Sequence, residues 1–222
     1  MAKVAVCLSG CGVFDGSEIH EAVLALLALD QAGAQAVCCA PDKPQMHVID
    51  HVQQKPAEGQ TRGVLAESAR IARGKITPLS AMEARDIDAL IVPGGFGAAK
   101  NLCTFAAAGP DCEVDADVER LVNDMIEMGK PIGFMCIAPA LMARIAGRRK
   151  IAPTLTIGTD AQTAAAVEKM GAKHQNCPAT DIVVDPQYQI VSTPAYMLAS
   201  GPAEVFQGTK KMVDEVLKRV KQ

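Results

Sequence analysis

Short apolar runs alternate with amphipathic helical patterns along the whole chain. The apolar runs predict strands at 3–8, 34–40, 87–92, 132–135, 154–158, 182–184 and 189–193. Apolar residues at helical spacing predict helices at about 17–32, 62–73, 115–128, 138–146, 160–170 and 202–220. Strands that alternate with helices form parallel sheets with helices on both faces. We therefore predict an α/β fold, a doubly wound and mostly parallel sheet in a three-layer sandwich.

The length and composition fit one domain over 1–222. The chain has 222 residues, of which 49% are hydrophobic and 21% charged, and that is enough to bury a sizeable core. Residues 41–61 are polar and contain three prolines and a glycine. We expect a loop insertion or a small β excursion there.

The composition argues against several classes of partner. The formal net charge is −3, aromatic residues make up 3% of the chain, and no long run of Lys or Arg occurs. Nucleic acid is therefore not an expected partner. No apolar run approaches the ~18 residues that span a bilayer, so no membrane association is expected. The chain begins directly with a strand pattern, without a signal or transit pattern, which predicts a cytoplasmic location.

The eight cysteines do not form a disulfide framework or a metal site. Cys7, Cys38 and Cys39 lie in predicted buried strands, and no C-x-x-C pair occurs. The four histidines do not combine with cysteines at the spacing of zinc ligands. The pattern predicts reduced thiols and no metal.

The most informative local feature is the turn after the predicted strand 132–135. The strand ends on Cys136, and Ala138, Pro139 and Ala140 then open a helix. A nucleophile at such a strand-to-helix corner is the elbow of many α/β enzymes. The helix amino terminus offers free N–H groups that favour a thiolate over a thiol. Cys136 is therefore the candidate nucleophile, with a packing role in the core as the alternative.

A second candidate element is the glycine loop after the predicted strand 87–92. Gly94 and Gly95 follow that strand and should lie at the same carboxyl edge of the sheet as the elbow. Glycine lets the backbone turn its N–H groups toward a ligand. We assign the N–H groups of Gly95 and Ile137 to an oxyanion hole, with Gly94 as the turn residue. The alternative is an ordinary glycine turn at a strand end.

The first helix supplies the candidate acid. Asp15 with Glu18 three residues on resembles a capping box, which is a structural reason for Glu18. Glu21 lies one turn further and is not needed by the cap. We expect it to face the elbow while Ile19 and Val23 face the core. A nucleophilic thiol needs a neighbouring proton carrier, for which Glu21 is the first choice and Glu18 the second. A solvated helix glutamate is the alternative.

Three further residues are weaker candidates. His20 is adjacent to the acid on the helix but should point elsewhere. His174 is expected to be a hydrogen-bonded histidine of a loop or the core. Cys11 lies in the glycine-rich loop after the first strand, where packing is the simpler role.

Several segments together resemble a known family. Residues 93–102 and 133–139 resemble the PfpI-type branch of the class I glutamine amidotransferase-like superfamily. Residues 8–21, 156–160 and 191–197 are similar, more specifically, to the enhancing-lycopene-biosynthesis (ElbB-type) proteins and the related ES1 proteins. The resemblance runs through essentially the whole chain.

The resemblance implies a flavodoxin-like sandwich and a homodimer. It implies that Cys136 is the elbow cysteine of the family, with the first-helix glutamate beside it matched by Glu21. It also implies a cofactor-independent glyoxalase reaction, in which 2-oxoaldehydes such as glyoxal and methylglyoxal become glycolate and lactate through a cysteine hemithioacetal. A broader deglycase-type activity and a link to isoprenoid biosynthesis are further implications.

Two positions depart from the wider superfamily. Ile137 follows the nucleophile where protease-like members often carry histidine, so peptidase or glutaminase activity is not expected. Phe134 stands where a small residue is common, which predicts little room near the cysteine and hence a small substrate. The rival hypothesis is a non-enzymatic sensor or interaction protein, in which the same cysteine is oxidised to a sulfinic acid and changes a partner contact.

Overall fold

The computed structural model describes residues 1–220. Its strands are β1 (Lys3–Cys7), β2 (Gln35–Ala40), β3 (Ile49–Asp50), β4 (Lys55–Pro56), β5 (Ile76–Pro78), β6 (Ala89–Val92), β7 (Ile132–Met135), β8 (Thr154–Leu155), β9 (Lys173–His174), β10 (Val183–Asp185) and β11 (Ile190–Thr193). Its helices are α1 (Ile19–Gln31), α2 (Val64–Ile71), α3 (Phe96–Lys100), α4 (Phe105–Ala108), α5 (Ala116–Glu127), α6 (Pro139–Arg149), α7 (Ala161–Lys169) and α8 (Pro202–Arg219). Within residues 1–220, none of these helices has both the length and the apolar character needed to cross a bilayer.

A seven-stranded sheet forms the centre of the molecule, in the order β10-β11-β7-β6-β1-β2-β5. Its strand pairs are parallel from β11 to β5, while β10 and β11 form an antiparallel hairpin at one edge. The predicted mostly parallel, doubly wound sheet is therefore confirmed. The parallel strands end at one common edge, where a doubly wound fold carries its functional groups.

Helices cover both faces of this sheet. Along β1, Val4 and Val6 point toward α1, α2 and α8, whereas Ala5 and Cys7 point toward α5 and α6. This alternation is what a strand buried on both faces requires, because successive side chains point to opposite sides. The two resulting apolar layers fix the strand ends in place.

Some predicted elements are shorter than expected, and a few are new. The expected strand 154–158 is reduced to β8, which pairs with β9 outside the main sheet. Its continuation is not a ladder, because side chains of Ser192 and His174 accept from the N–H groups of Thr156 and Ile157. Strand β5 and helices α3 and α4, which are three to five residues long, were not predicted. Residues 41–61 contain the antiparallel pair β3–β4, the small β excursion expected there.

The orientation of α1 differs from the prediction. Ile19 and Val23 are 41% and 46% exposed and do not face the core. The buried face instead carries Ala22, Ala25 and Leu29, and small alanines let the helix lie close to α8 and the sheet. Glu21 lies on this inner face as well. The rotation of the helix is therefore set by its small residues, not by the larger apolar ones.

The predicted capping box is also wrong. Helix α1 begins at Ile19, and Glu18 is its N-cap, with a side-chain oxygen that accepts from Glu21 N at 2.7 Å. Asp15 is turned away from the helix and accepts from Ile49 N at 2.7 Å. Asp15 therefore ties the first loop to the β3–β4 hairpin, and it does not cap the helix.

Candidate active site

Cys136 lies at the corner between β7 and α6. Its backbone has φ of +59°, the left-handed region that residues other than glycine rarely adopt. Such a conformation costs on the order of 1–3 kcal/mol and persists only where the surroundings impose it. Here the Cys136 N–H donates to Thr193 O of β11 at 3.0 Å, which anchors the corner to the sheet. The elbow geometry expected from the sequence is present.

Two backbone N–H groups face the Cys136 sulfur and lower the pKa of the thiol. One belongs to Gly95 in the loop after β6, and the other belongs to Ile137, the next residue in the chain. Gly95 has φ of +88°, and a Cβ there would lie 2.5 Å from Gly16 O. Only glycine fits this conformation and this space without strain. The structure thus brings together the two N–H groups assigned to the oxyanion hole, and that role itself stays a prediction.

Gly94 has a different task from its neighbour. A Cβ at this position would overlap the Cβ of Cys136 and lie 2.7 Å from Glu21 Oε2. The Gly94 N–H donates to the same Glu21 oxygen at 2.8 Å. The missing side chain therefore makes the space in which the acid and the thiol meet.

Glu21 is the glutamate that contacts the thiol. Glu21 is fully buried, and its Oε2 and the Cys136 Cβ lie on two sides of the position that a Gly94 Cβ would take. The Cys136 side chain lowers the pKa of this carboxyl group. Its second oxygen accepts from Tyr196 N at 3.2 Å. Burial, followed by the negative charge of Glu18, raises the pKa of Glu21 to about 7, against the lowering effect of the backbone donors. This carboxyl group exchanges a proton near neutral pH.

The thiol does not behave as the sequence predicted. Burial, and then the charge of Glu21, raise the pKa of Cys136 well above its usual value, although the backbone N–H groups of Gly95 and Ile137 lower it. Cys136 is only 8% exposed. The expected thiolate, stabilised by backbone dipoles, is therefore corrected to a protonated thiol beside the Glu21 carboxyl group. Removing its proton needs Glu21 as a base.

Glu18 occupies the open side of the same site. As the N-cap of α1, Glu18 accepts a hydrogen bond from the Glu21 N–H with one carboxylate oxygen. Glu18 also lines a cavity that reaches Cys136. The two glutamates are thus divided by position. Glu21 lies beneath the sulfur and Glu18 faces the space that a substrate would occupy.

The cavity above Cys136 has a volume of about 370 Å³ and mostly apolar walls. The apolar side chains that line it include Val13, Phe96, Phe105, Ile137 and Met197. Phe134 is not among them, because it is fully buried between the sheet and the α5–α6 layer. The expectation that Phe134 narrows the site is therefore wrong.

Two polar residues of the cavity, Tyr196 and Thr163, were not predicted. Tyr196 follows β11 directly, so its position at the carboxyl edge of a strand beside β7 was a signal that could have found it. Its hydroxyl group pairs with His20 Nδ1 at 2.7 Å. Thr163 belongs to α7, and no sequence pattern places that helix at the cavity.

None of the three weaker candidates is among the residues that line the cavity, although His20 reaches its edge through the Tyr196 hydroxyl group. His174 accepts from Ile157 N at 3.3 Å, and burial lowers its pKa, which fits the expected hydrogen-bonded histidine. The backbones of Cys11 and Ser17 form an isolated parallel β-bridge. Burial, and then the charge of Glu67, raise the pKa of the Cys11 thiol. Among residues 1–220 no group of three or more His, Cys, Asp or Glu could hold a metal ion.

Comparison with known proteins supplies the family. No protein-family model matches the sequence. The chain is 47% identical over 225 residues to the human "Glutamine amidotransferase-like class 1 domain-containing protein 3, mitochondrial", covering 97% of this chain and 82% of that protein. It is equally identical to the "ES1 protein homolog, mitochondrial" of Rattus norvegicus, with 83% of that protein covered. The predicted cytoplasmic location is not confirmed by these names.

Solved structures agree. An isoprenoid biosynthesis protein with an amidotransferase-like domain from Ehrlichia chaffeensis is 36% identical, with a TM-score of 0.92 and both chains covered completely. Glyoxalase III from Candida albicans shares the fold at 14% identity and a TM-score of 0.64, over 99% of this chain and 98% of that one. The identity and coverage of the two mammalian relatives decide the assignment: the chain belongs to the ES1 family of class 1 glutamine amidotransferase-like proteins.

Proposed function

We propose that the chain is a cofactor-independent glyoxalase that converts 2-oxoaldehydes into 2-hydroxy acids. The observation that carries the proposal is the buried contact between the Glu21 carboxyl group and the Cys136 thiol, placed under an open cavity. The fold shared with a glyoxalase III supports it. Ile137 and the remote position of His174 argue against a Cys-His-acid triad.

The first step is addition of the thiol to the aldehyde carbon. Glu21 takes the proton of Cys136 while the sulfur–carbon bond forms and the carbonyl double bond opens. The proton then passes to the carbonyl oxygen, which gives a hemithioacetal. The N–H groups of Gly95 and Ile137, which hold the sulfur at rest, stabilise negative charge that develops at this corner. Losing one such donor typically costs ~10²–10³ in rate.

The second step moves a proton between the two substrate carbons. Glu21 is buried and its oxygens are held by Gly94 and Tyr196, so Glu18 is the better placed carrier for an atom in the cavity. Removal of a proton from the former aldehyde carbon gives an enediol, and reprotonation at the neighbouring carbon gives a thioester. Water then releases the 2-hydroxy acid and the thiol. The net reaction adds one water and needs no oxidant or reductant.

The test follows product formation from methylglyoxal and glyoxal. Cys136→Ala should abolish formation of lactate and glycolate, whereas Cys177→Ala, at another buried cysteine away from the cavity, should retain it. Glu21→Gln should lower kcat by about 10²-fold or more. A fully active Cys136→Ala protein would overturn the proposal.

A separate measurement tests whether Glu18 carries the proton between the two substrate carbons. Glu18→Gln should lower kcat by about 10²-fold while Cys136 is alkylated at close to the wild-type rate. Alkylation needs only the thiol and its base, whereas turnover also needs the carrier in the cavity. A variant with equal losses in both measurements would assign Glu18 to thiol activation instead.

The sensor hypothesis makes a different prediction. Peroxide oxidises a thiolate far faster than a thiol, and the raised pKa of Cys136 and its burial both disfavour that reaction. The sensor would be favoured by a kcat/KM far below ~10⁴ M⁻¹s⁻¹ for every 2-oxoaldehyde, together with selective oxidation of Cys136.

A further inference from the structure

Aromatic side chains are concentrated around the cavity above Cys136. The chain has five phenylalanines, two tyrosines and no tryptophan, and Phe96, Phe105 and Tyr196 all line this one space. Phe96 is 49% exposed and lies at the rim. An exposed phenylalanine beside further apolar walls typically marks a surface that binds apolar ligands.

The cavity is larger and more apolar than the smallest 2-oxoaldehydes require. Its volume of about 370 Å³ compares with about 30 Å³ for one water molecule in the liquid. Glyoxal has two carbons and two oxygens, so it would touch the sulfur and leave most of the apolar wall unpaired. An aryl or alkyl substituent would fill that wall and gain free energy from burial.

The charges of the site act against anions. Among residues 1–220 no Lys, Arg or His side chain lines the cavity, and the carboxylic side chain that lines it is Glu18. The Lys100 Nζ lies 5.3 Å from the centre of the Phe96 ring at the rim, where it donates to Phe14 O, and Lys100 is not among the residues that line the cavity. An anionic ligand next to Cys136 would lose hydration without a cationic side chain in the lining and would be repelled by Glu18.

Within the proposed function, we infer that the preferred substrates are neutral 2-oxoaldehydes with an apolar aryl or alkyl substituent, and that the site excludes carbonyl compounds whose charge lies near the reacting carbon. Phenylglyoxal is the probe for the apolar preference. Each kcat/KM is divided by the rate constant of the same aldehyde with a free thiol, which removes intrinsic reactivity. The normalised value for phenylglyoxal should exceed that for glyoxal by about tenfold or more.

A second measurement does not depend on turnover. Cys136 is alkylated with N-phenyliodoacetamide, iodoacetamide and iodoacetate, each normalised to its rate with free cysteine. The phenyl reagent should react at least about tenfold faster than iodoacetamide, and iodoacetate about tenfold slower. Equal normalised rates for the three reagents would overturn the inference. If the alkylation series holds but no 2-oxoaldehyde is turned over, the glyoxalase proposal fails and the ligand class stands.

Substitutions of residues that line the cavity test which side chains cause the preference for the phenyl reagent. Phe105→Ser should reduce the advantage of the phenyl reagent by about tenfold, whereas Val52→Ser, at a residue that is 94% exposed and outside the cavity, should leave it unchanged. Ala106→Lys, at an exposed lining position, should raise the rate with iodoacetate by about tenfold. Because Ala106 is exposed, this variant tests the charge argument even if Phe105→Ser does not fold. An unchanged iodoacetate rate in folded Ala106→Lys would contradict it.

Discussion

The Glu21 carboxyl group and the Cys136 thiol lie next to each other in the protein interior, and burial raises the pKa of both groups. The acid and the thiol belong to different elements of the fold, and a third element makes room for them. Helix α1 brings the acid, the turn after β7 brings the thiol, and Gly94 leaves the gap between them. A pair that exchanges one proton at near-neutral pH has direct consequences for activity, stability and tolerance to substitution.

Activity should rise with pH through about 7. The Cys136 thiol stays protonated in this range, so addition to a carbonyl requires the Glu21 carboxylate, whose pKa of about 7 sets the ascending limb of kcat/KM. The measurement is kcat/KM for methylglyoxal from pH 5.5 to 8.5. Glu21→Gln should remove this limb as well as most of the activity. A limb centred near 4.5, the ordinary value for glutamate, would contradict the assignment.

Stability should fall as pH rises toward 7. Between 4.5 and about 7 the folded protein keeps a proton on Glu21 that the unfolded chain has lost, so raising the pH favours the unfolded chain, by about 3 kcal/mol in total. Above 7 this contribution is constant. His174 acts in the opposite sense below 6.5, because burial lowers its pKa.

Urea unfolding of wild type and Glu21→Gln between pH 5 and 8 isolates the effect of Glu21. As pH rises, wild type should lose stability relative to Glu21→Gln, because the variant lacks the carboxyl group that titrates. The contribution of His174 cancels in this difference, since both proteins contain it. Glu58→Gln, at an exposed acid, is the matched control and should keep the wild-type pH dependence. A constant difference between wild type and Glu21→Gln would show that Glu21 titrates alike in both states.

Gly94→Ala should abolish activity, since the added methyl group overlaps the Cβ of Cys136 and lies 2.7 Å from Glu21 Oε2. The acid and the thiol are pushed apart, and kcat should fall by about 10²-fold or more. Gly63→Ala is the control, because the nearest atom to its Cβ would be 3.8 Å away and its φ is −87°. If the two variants had comparable activity, the space left by the missing side chain of Gly94 would not be needed for catalysis.

The elbow was predictable because its signal is local. An apolar run, one cysteine and a small, proline-containing helix start are adjacent in sequence, and the structure has β7, Cys136 and α6 in that order. The glycine loop after β6 was predictable for the same reason. Strand ends of a parallel sheet meet at one edge, so two local patterns were enough to place Gly94 and Gly95 beside the thiol.

The rest depends on contacts that are distant in sequence. Ile19 and Val23 were expected inside because they are large and apolar, but close packing of α8 against small alanines decides the rotation of α1. The pKa of Cys136 was misjudged for a related reason. The local helix terminus favours a thiolate, while burial and the charge of Glu21, both tertiary effects, outweigh it.

The positive φ of Cys136 makes a last prediction about stability. Alanine at this position keeps the strained backbone, whereas glycine adopts φ of +59° without a Cβ penalty. At Cys38, in strand β2 and outside the positive-φ region, glycine should instead be less stable than alanine by about 1 kcal/mol.

The readout is the difference in unfolding free energy between the glycine and alanine variants at each position. In urea or thermal unfolding, glycine relative to alanine should be more favourable at position 136 than at position 38, by about 1 kcal/mol. Both variants at 136 lack the sulfur, so neither the acid–thiol contact nor its titration enters the comparison. An identical difference at the two positions would mean that the elbow stores no backbone strain, and the tight corner would then owe its shape to the Thr193 and Gly95 contacts alone.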